Sequence, residues 1–384
     1  MANHNIELID DVDEEVVQDF DADEALEKKY SKQMRQIHPQ KIELPISALK
    51  AMIDEQISLS PDFQRRDRWD TKKQSRFIES IIMNIPVPPV FLGEDKYGQY
   101  VVLDGRQRLT AVYEFLRGRY ALEKLEVWKE LNDMRYADLE DKGLAPALKR
   151  RFIPAVLLLR ETSPEVKYDV FDRLNTGGVP LNSMEIRNAV FQGKYNRLLH
   201  TLSDQSIFRE LWEIPLTDVE RKQNSLYSNM KDVELVLRFL ALREPEKIRK
   251  SFKWWLGHYL EEQNNIVEGN EQVLVDDTLA FERSVASIKK VFGVANAFVR
   301  PDDLLRGNKS APLSDALMVA FSKLDPTRIS DEIKENLVSG LNQLMNDRDF
   351  VKSITTGTNG RGAIQTRISK VVELVKNVAN QALV

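Results

Sequence analysis

"VVLDGRQRLTAVYEFL", residues 101–116, decides how this chain is read. Val101, Val102 and Leu103 form an apolar run bounded by a turn signal, Asp104-Gly105, as a buried strand would be. Leu109, Val112, Tyr113 and Leu116 then recur at i, i+3, i+4 and i+7, which lays them on one face of a helix. The stretch is therefore a strand, a tight turn and a helix. The first N–H groups of a helix have no intrahelical partner, and the macrodipole adds about half a positive charge there. Acidic side chains suit that pole, yet Arg106 and Arg108 occupy it. A phosphate between them would account for both, because guanidinium forks bind phosphate oxygens in pairs. Pairing of both arginines with surface carboxylates accounts for them equally well at this level. Gln107 lies opposite the apolar stripe, where it can meet a base, a phosphate or water.

Upstream, a strand is expected near residues 41–44 and a short helix over 47–57. Asp70 is a candidate N-cap for a helix running to about Met83, with Phe77, Ile78, Ile81 and Ile82 on its apolar face. The prolines of "IPVPP" stop it. Strands follow at 90–92 and 99–103, and "RFIPAVLLL" (151–159) reads as another. Helices are expected at 164–174, ending at "NTGG", and from Asn182 or Ser183 onward. Beyond residue 200 helical periodicities take over, at 231–243, 250–262, 279–296, 312–323, 330–346 and 363–382. The fold class is α+β: a mixed-sheet domain at 37–205, an all-helical domain at 206–384, and an acidic tail with a linker helix at 1–36.

Composition narrows the function. The chain has 384 residues, 42% hydrophobic and 30% charged, which suits two globular domains. No apolar run approaches the roughly 18 residues that span a bilayer, and the N-terminus lacks a signal-peptide pattern, so a cytoplasmic location is expected. There is no cysteine, which excludes disulfides, thiolate zinc sites and cysteine nucleophiles. The four histidines, His4, His38, His200 and His258, have no metal-ligand spacing. Residues 1–27 hold 11 acidic residues and no Lys or Arg, leaving 55 basic against 49 acidic residues in the rest. An acidic tail on a mildly basic body can compete with an anionic ligand.

Three further segments bear on chemistry. "FQRRDRWDTKKQSR" (63–76) interleaves Arg65, Arg66, Arg68, Lys72, Lys73 and Arg76 with Phe63 and Trp69. That pattern fits a nucleotide or nucleic-acid surface, or core anchors on a solvated stretch. "FDRLNTGGVPLNSMEIRNA" (171–189) offers Asn175 and Glu185, which could hold a hydrated Mg²⁺ or orient phosphates; the alternative is that they end a helix and pair with an arginine. "TTGTNGRGAIQTR" (355–367), with Arg361 and Arg367, suits a phosphate or an ordinary capped helix. Glu234 and Arg238 are spaced for an i, i+4 ion pair.

The order "SPDFQRRDRW … FIESIIMNIPVPPVFL … YVVLDGRQRLTAVYEF … FDRLNTGGVPLNSMEIRNA" resembles the ParB/sulfiredoxin-like superfamily. More narrowly, it is similar to the branch typified by the N-terminal domain of GmrSD modification-dependent restriction enzymes, in a stand-alone form without an HNH nuclease domain. That branch carries an Asp-Gly-Gln-Gln-Arg turn, which stands here as Asp104-Gly105-Arg106-Gln107-Arg108, with arginine for the first glutamine. The resemblance implies a nucleoside triphosphate (CTP, GTP or ATP) with Mg²⁺, in service of defence against foreign DNA. On it, Gly105, Arg106, Gln107, Arg108 and Asn175 would bind nucleotide, closed over by Gln64 and Arg65. Asp104, Gln107 and Arg108 are the catalytic candidates, Asp104 to polarise water or steer an arginine, and Glu185 is the candidate metal ligand. The expected partners are nucleotide, DNA and a separate nuclease or helicase, with a homodimer as a candidate assembly. Two rivals are a DNA-binding adaptor that does not hydrolyse nucleotide and a ParB-like nuclease.

Overall fold

A computed structural model describes residues 39–59, 69–96, 98–159, 162, 166–168, 170, 182–301 and 307–381. Packing divides the chain between Val190 and Phe191 into two units. Among the described residues no helix is long and apolar enough to cross a membrane.

The first unit is built on a five-stranded sheet. Its strands are β1 (Pro39–Pro45), β2 (Ile57–Ser58), β3 (Val90–Lys96), β4 (Gln99–Asp104) and β5 (Phe152–Leu158), in the order β1-β5-β3-β4-β2. β1 runs antiparallel to β5 and β3 antiparallel to β4, while β5 is parallel to β3 and β2 parallel to β4. The sheet is thus mixed, as expected, and the two-residue β2 is an addition to the expected strands. The expected strand at 90–92 continues to Lys96, where Gly98 at φ +73° turns the β3–β4 hairpin.

Period-2 alternation sorts the strand residues between the two faces. Val90, Leu92, Val102, Ile153, Ala155 and Leu157 join one core with side chains from α1 (Ile46–Glu55), α2 (Thr71–Ile82) and α3 (Arg106–Leu116). Leu103 and Leu158 belong to a second, smaller cluster with Ile186, backed by Phe91 and Val156. Ile186 comes from α6 (Ser183–Val190), which follows the short helices α4 (Tyr136–Asp141) and α5 (Ala145–Lys149). Both faces of β4 are therefore covered, which fixes the strand that ends at the Asp104-Gly105 turn.

Buried polar groups on α2 secure the next loop. The Glu79 carboxylate accepts the N–H groups of Val127 (3.0 Å) and Trp128 (2.8 Å), and the Ser75 hydroxyl accepts Glu123 N–H. Asp70 caps α2 through Lys73 N–H at 2.8 Å, as its sequence position implied.

The second unit carries no strand among its described residues. Its helices are α7 (Lys194–Ser203), α8 (Ser206–Leu211), α9 (Asp218–Gln223), α10 (Ser225–Ser228), α11 (Lys231–Ala241), α12 (Phe252–Gly269), α13 (Gln272–Asn296), α14 (Ala311–Phe321), α15 (Asp331–Leu344), α16 (Arg348–Thr355) and α17 (Arg361–Gln381). Every residue of α14 except Pro312 is buried, so it forms the axis of this unit. A buried ion triad ties three helices together. Asp315 of α14 accepts a fork from Arg238 of α11 (Nε 3.0 Å, Nη2 2.7 Å) and Nη2 of Arg367 of α17 at 2.7 Å. Arg238 thus forks onto Asp315 across 77 positions of sequence.

Candidate functional site

The strand, turn and helix of residues 101–116 form as read. β4 ends at Asp104, Gly105 is the N-cap in the left-handed region (φ +90°, ψ +13°), and α3 starts at Arg106. Glycine is required twice here. A side chain is strained at that φ, and an added Cβ would lie 2.4 Å from Val90 Cγ1. Because Gly105 has no side chain, no side-chain hydrogen bond caps α3, and the first turn holds no acidic residue. The positive pole of α3 is left to Arg106, Gln107 and Arg108, all half-buried.

The three residues are placed differently. Arg108 turns back under the turn: Nη2 donates to Asp104 Oδ2 at 2.7 Å, while Nη1 donates to the carbonyls of Pro88 and, at 3.1 Å, Pro89. Burial pulls the Arg108 pKa down from its ordinary value, and the Asp104 carboxylate opposes that shift. Its guanidinium is therefore a clamp joining the end of β4 to the chain entering β3. Asp104 is 46% exposed and engaged by that clamp, which fits the role of steering an arginine better than that of polarising water. Gln107 faces the other way, and its Oε1 accepts the Trp69 N–H at 3.0 Å. Trp69 packs edge-on against Phe77 at 5.6 Å, and Lys73 Nζ lies over its indole at 5.1 Å. The start of α2 and the start of α3 are thus bonded together, bringing Lys73 and Trp69 of the basic segment to the turn. Arg76 is turned to an exposed pair with Glu126 at 2.9 Å. Arg106 opens the helix as its first residue.

If the clamp holds the turn, Arg108→Ala should destabilise the first unit by about 1.5–3 kcal/mol, the scale of hydrogen bonds to a charged group. Arg108→Lys should recover little, since one ammonium cannot reproduce a fork shared by three acceptors. The urea midpoint measures both; wild-type midpoints for both variants would remove the clamp from the account.

Glu185 sits differently from the metal-ligand expectation. It is buried, at 3% exposure, and its Oε2 accepts the Asn182 N–H at 2.8 Å. Asn182 Oδ1 in turn accepts the N–H groups of Met184 and Glu185, each at 3.0 Å. This is a capping box, Asn182-x-x-Glu185, closing the start of α6. The Asn-x-x-Glu spacing carried that signal in the sequence. Gln64, Arg65 and Asn175 lie outside the described residues.

At the loop entering α17 the structure favours the second of the two readings, an ordinary helix start. Arg367 is fully buried and is spent on Asp315 and on the carbonyls of Ser353 and Thr358, so it is unavailable to a phosphate. Burial pushes its pKa down to about 10, with Asp315 holding it up, so it stays a cation at neutral pH. Among the described residues no group of three or more His, Cys, Asp and Glu side chains is gathered to hold a metal.

Residues 49–192, which contain the turn, the Arg108 clamp, the Gln107–Trp69 bond and the capping box, match the family model for the GmrSD restriction endonuclease N-terminal domain. This segment is similar to GmrSD N-terminal domains. Its matched range ends at the same place, within two residues, as the first packed unit. Neither the curated proteins nor the solved structures yielded a match to the chain.

Proposed function

We propose that the GmrSD-like domain binds a nucleoside triphosphate at the Gly105 turn and uses that state to regulate restriction of DNA by a separate nuclease or helicase. The observation that carries the reading is the uncapped, acid-free N-terminus of α3, led by Arg106 and tied through Gln107 to Trp69 of the basic segment. Backbone N–H groups at such an end form an anion seat. Arg106 adds a fork, and Lys73 with Trp69 supplies a cation and a ring nearby.

The same geometry supports binding ahead of turnover. Asp104 accepts from Arg108 through Oδ2, and Gln107 Oε1 from Trp69 N–H, so both serve first as structural acceptors and keep only part of their hydrogen-bonding capacity for a water. Glu185 does not fit the expected Mg²⁺ ligand, because its carboxylate is buried in the capping box. Mg²⁺ commonly arrives on the phosphates with most of its waters, which asks nothing of Glu185.

Arg106→Ala tests the seat without touching the clamp. Triphosphate affinity should fall about 10- to 100-fold, corresponding to roughly 1.5–3 kcal/mol, while the stability loss stays smaller than that of Arg108→Ala. The adaptor reading has its own signature. DNA affinity that falls steeply with salt, with no nucleotide binding by wild type, would replace the nucleotide reading with it.

A further inference from the structure

We propose that the second unit carries a docking groove for the chain's own acidic N-terminal segment. The groove lies where α13 breaks. Gly293, inside that helix, leaves helical geometry at φ +68°, ψ −176°. Beside it opens a cavity of about 490 Å³, within the roughly 300–1,000 Å³ of ligand clefts. Its lining includes the buried Val291, Val299 and Leu341 and the half-buried Phe292 and Val338. The lining contains three lysines and no carboxylate among the described residues: Lys289 pairs with Glu210 outside the lining, Lys290 donates to the Pro326 carbonyl at 2.8 Å, and Lys334 stands exposed, so the acidic contacts fall to Lys334 and Lys290. A groove of this kind fits an acidic, amphipathic segment.

The chain holds one such segment. Within residues 1–27, which carry 11 acidic and no basic residues, Ile9, Val12, Val16 and Phe20 recur at intervals of three and four. That spacing gives one apolar stripe, and Asp10, Asp11, Asp13, Glu14, Glu15 and Asp19 flank it. Apolar anchors spaced in this way and entering a groove are the helix-in-groove mode of recognition. Charge complementarity fixes the choice of occupant: no stretch of comparable length elsewhere in the chain combines an apolar stripe with so many acids and no base. Tethering makes the encounter intramolecular, at an effective concentration that a free peptide does not reach.

The cysteine-free chain allows a direct test. Gln18→Cys paired with Asn342→Cys, on the groove wall, should form a disulfide within one molecule at least about tenfold faster than the control pair Gln18→Cys and Lys222→Cys, read as monomer on a non-reducing gel. Val16→Asp with Phe20→Asp should bring that rate down to the control, and Lys334→Glu should slow it several-fold, with circular dichroism unchanged. A groove pair no faster than the control, or indifferent to the tail substitutions, would overturn the proposal. Cross-linking found only between two molecules would overturn it as well, in favour of a second copy as occupant.

Discussion

Asp315→Ala is expected to destabilise the helical unit by about 3–5 kcal/mol, the cost of breaking a buried ion pair at one partner. Asp315 is 1% exposed and receives Arg238 through two nitrogens and Arg367 through a third. Without it, two buried guanidiniums face each other with no counter-charge between them. Arg367, with its pKa near 10, stays charged at neutral pH and cannot escape by losing its proton. Equilibrium urea unfolding gives the loss directly. The converse experiment is as informative. Replacing the three together, Arg238→Met, Asp315→Leu and Arg367→Met, should recover much of the stability, because a well-packed apolar core substitutes for a buried ionic one. A loss below about 1 kcal/mol for Asp315→Ala would show that water reaches the triad.

Gly105→Ala is the second large effect. The new methyl group would sit 2.4 Å from Val90 Cγ1 at a φ of +90°. Strain in the left-handed region costs about 1–2 kcal/mol and overpacking about 1–3, so a total of about 2–5 kcal/mol is expected. Val90 opens β3, and its displacement would propagate to the carbonyls of Pro88 and Pro89 that Arg108 holds. Loss of triphosphate binding should therefore accompany the loss of stability. The double variant Gly105→Ala with Val90→Ala separates the two causes. It relieves the close contact but leaves the strained φ, so it should regain the overpacking part net of the cavity it creates. A single variant as stable as wild type would mean that the turn adopts another geometry.

The strands and helices around the turn were legible because their burial is periodic. Val102 and Leu103 go to opposite faces of the sheet, and Leu109, Val112 and Leu116 of the expected stripe join one core, whereas Phe115, outside that stripe, is buried in it and Tyr113 turns out to Asp54. The nearby Asp70 cap was legible for a local reason, an acidic residue before an apolar-periodic run. What escaped were contacts made at a distance along the chain. Arg108 reaches back to Pro88 and Pro89, and Gln107 to Trp69, and neither partner is implied by spacing within the helix. The two arginines at the positive pole looked equivalent in the sequence, yet one is a clamp and the other opens the helix. Arg367 beside a glycine-rich loop left a phosphate and an ordinary helix start open, because nothing local announced Asp315, 52 positions away. Glu185 had a local signal of its own, since Asn-x-x-Glu is the spacing of a capping box.

The central claim is that the α3 N-terminus seats a triphosphate. Calorimetric titration of the full chain with CTP, GTP and ATP, each with and without Mg²⁺, tests it most directly. The account predicts saturable one-site binding of at least one triphosphate, weaker binding of its monophosphate, and a 10- to 100-fold loss in Arg106→Ala. Heats no different from dilution for all three nucleotides in both conditions, or binding that Arg106→Ala leaves unchanged, would contradict it.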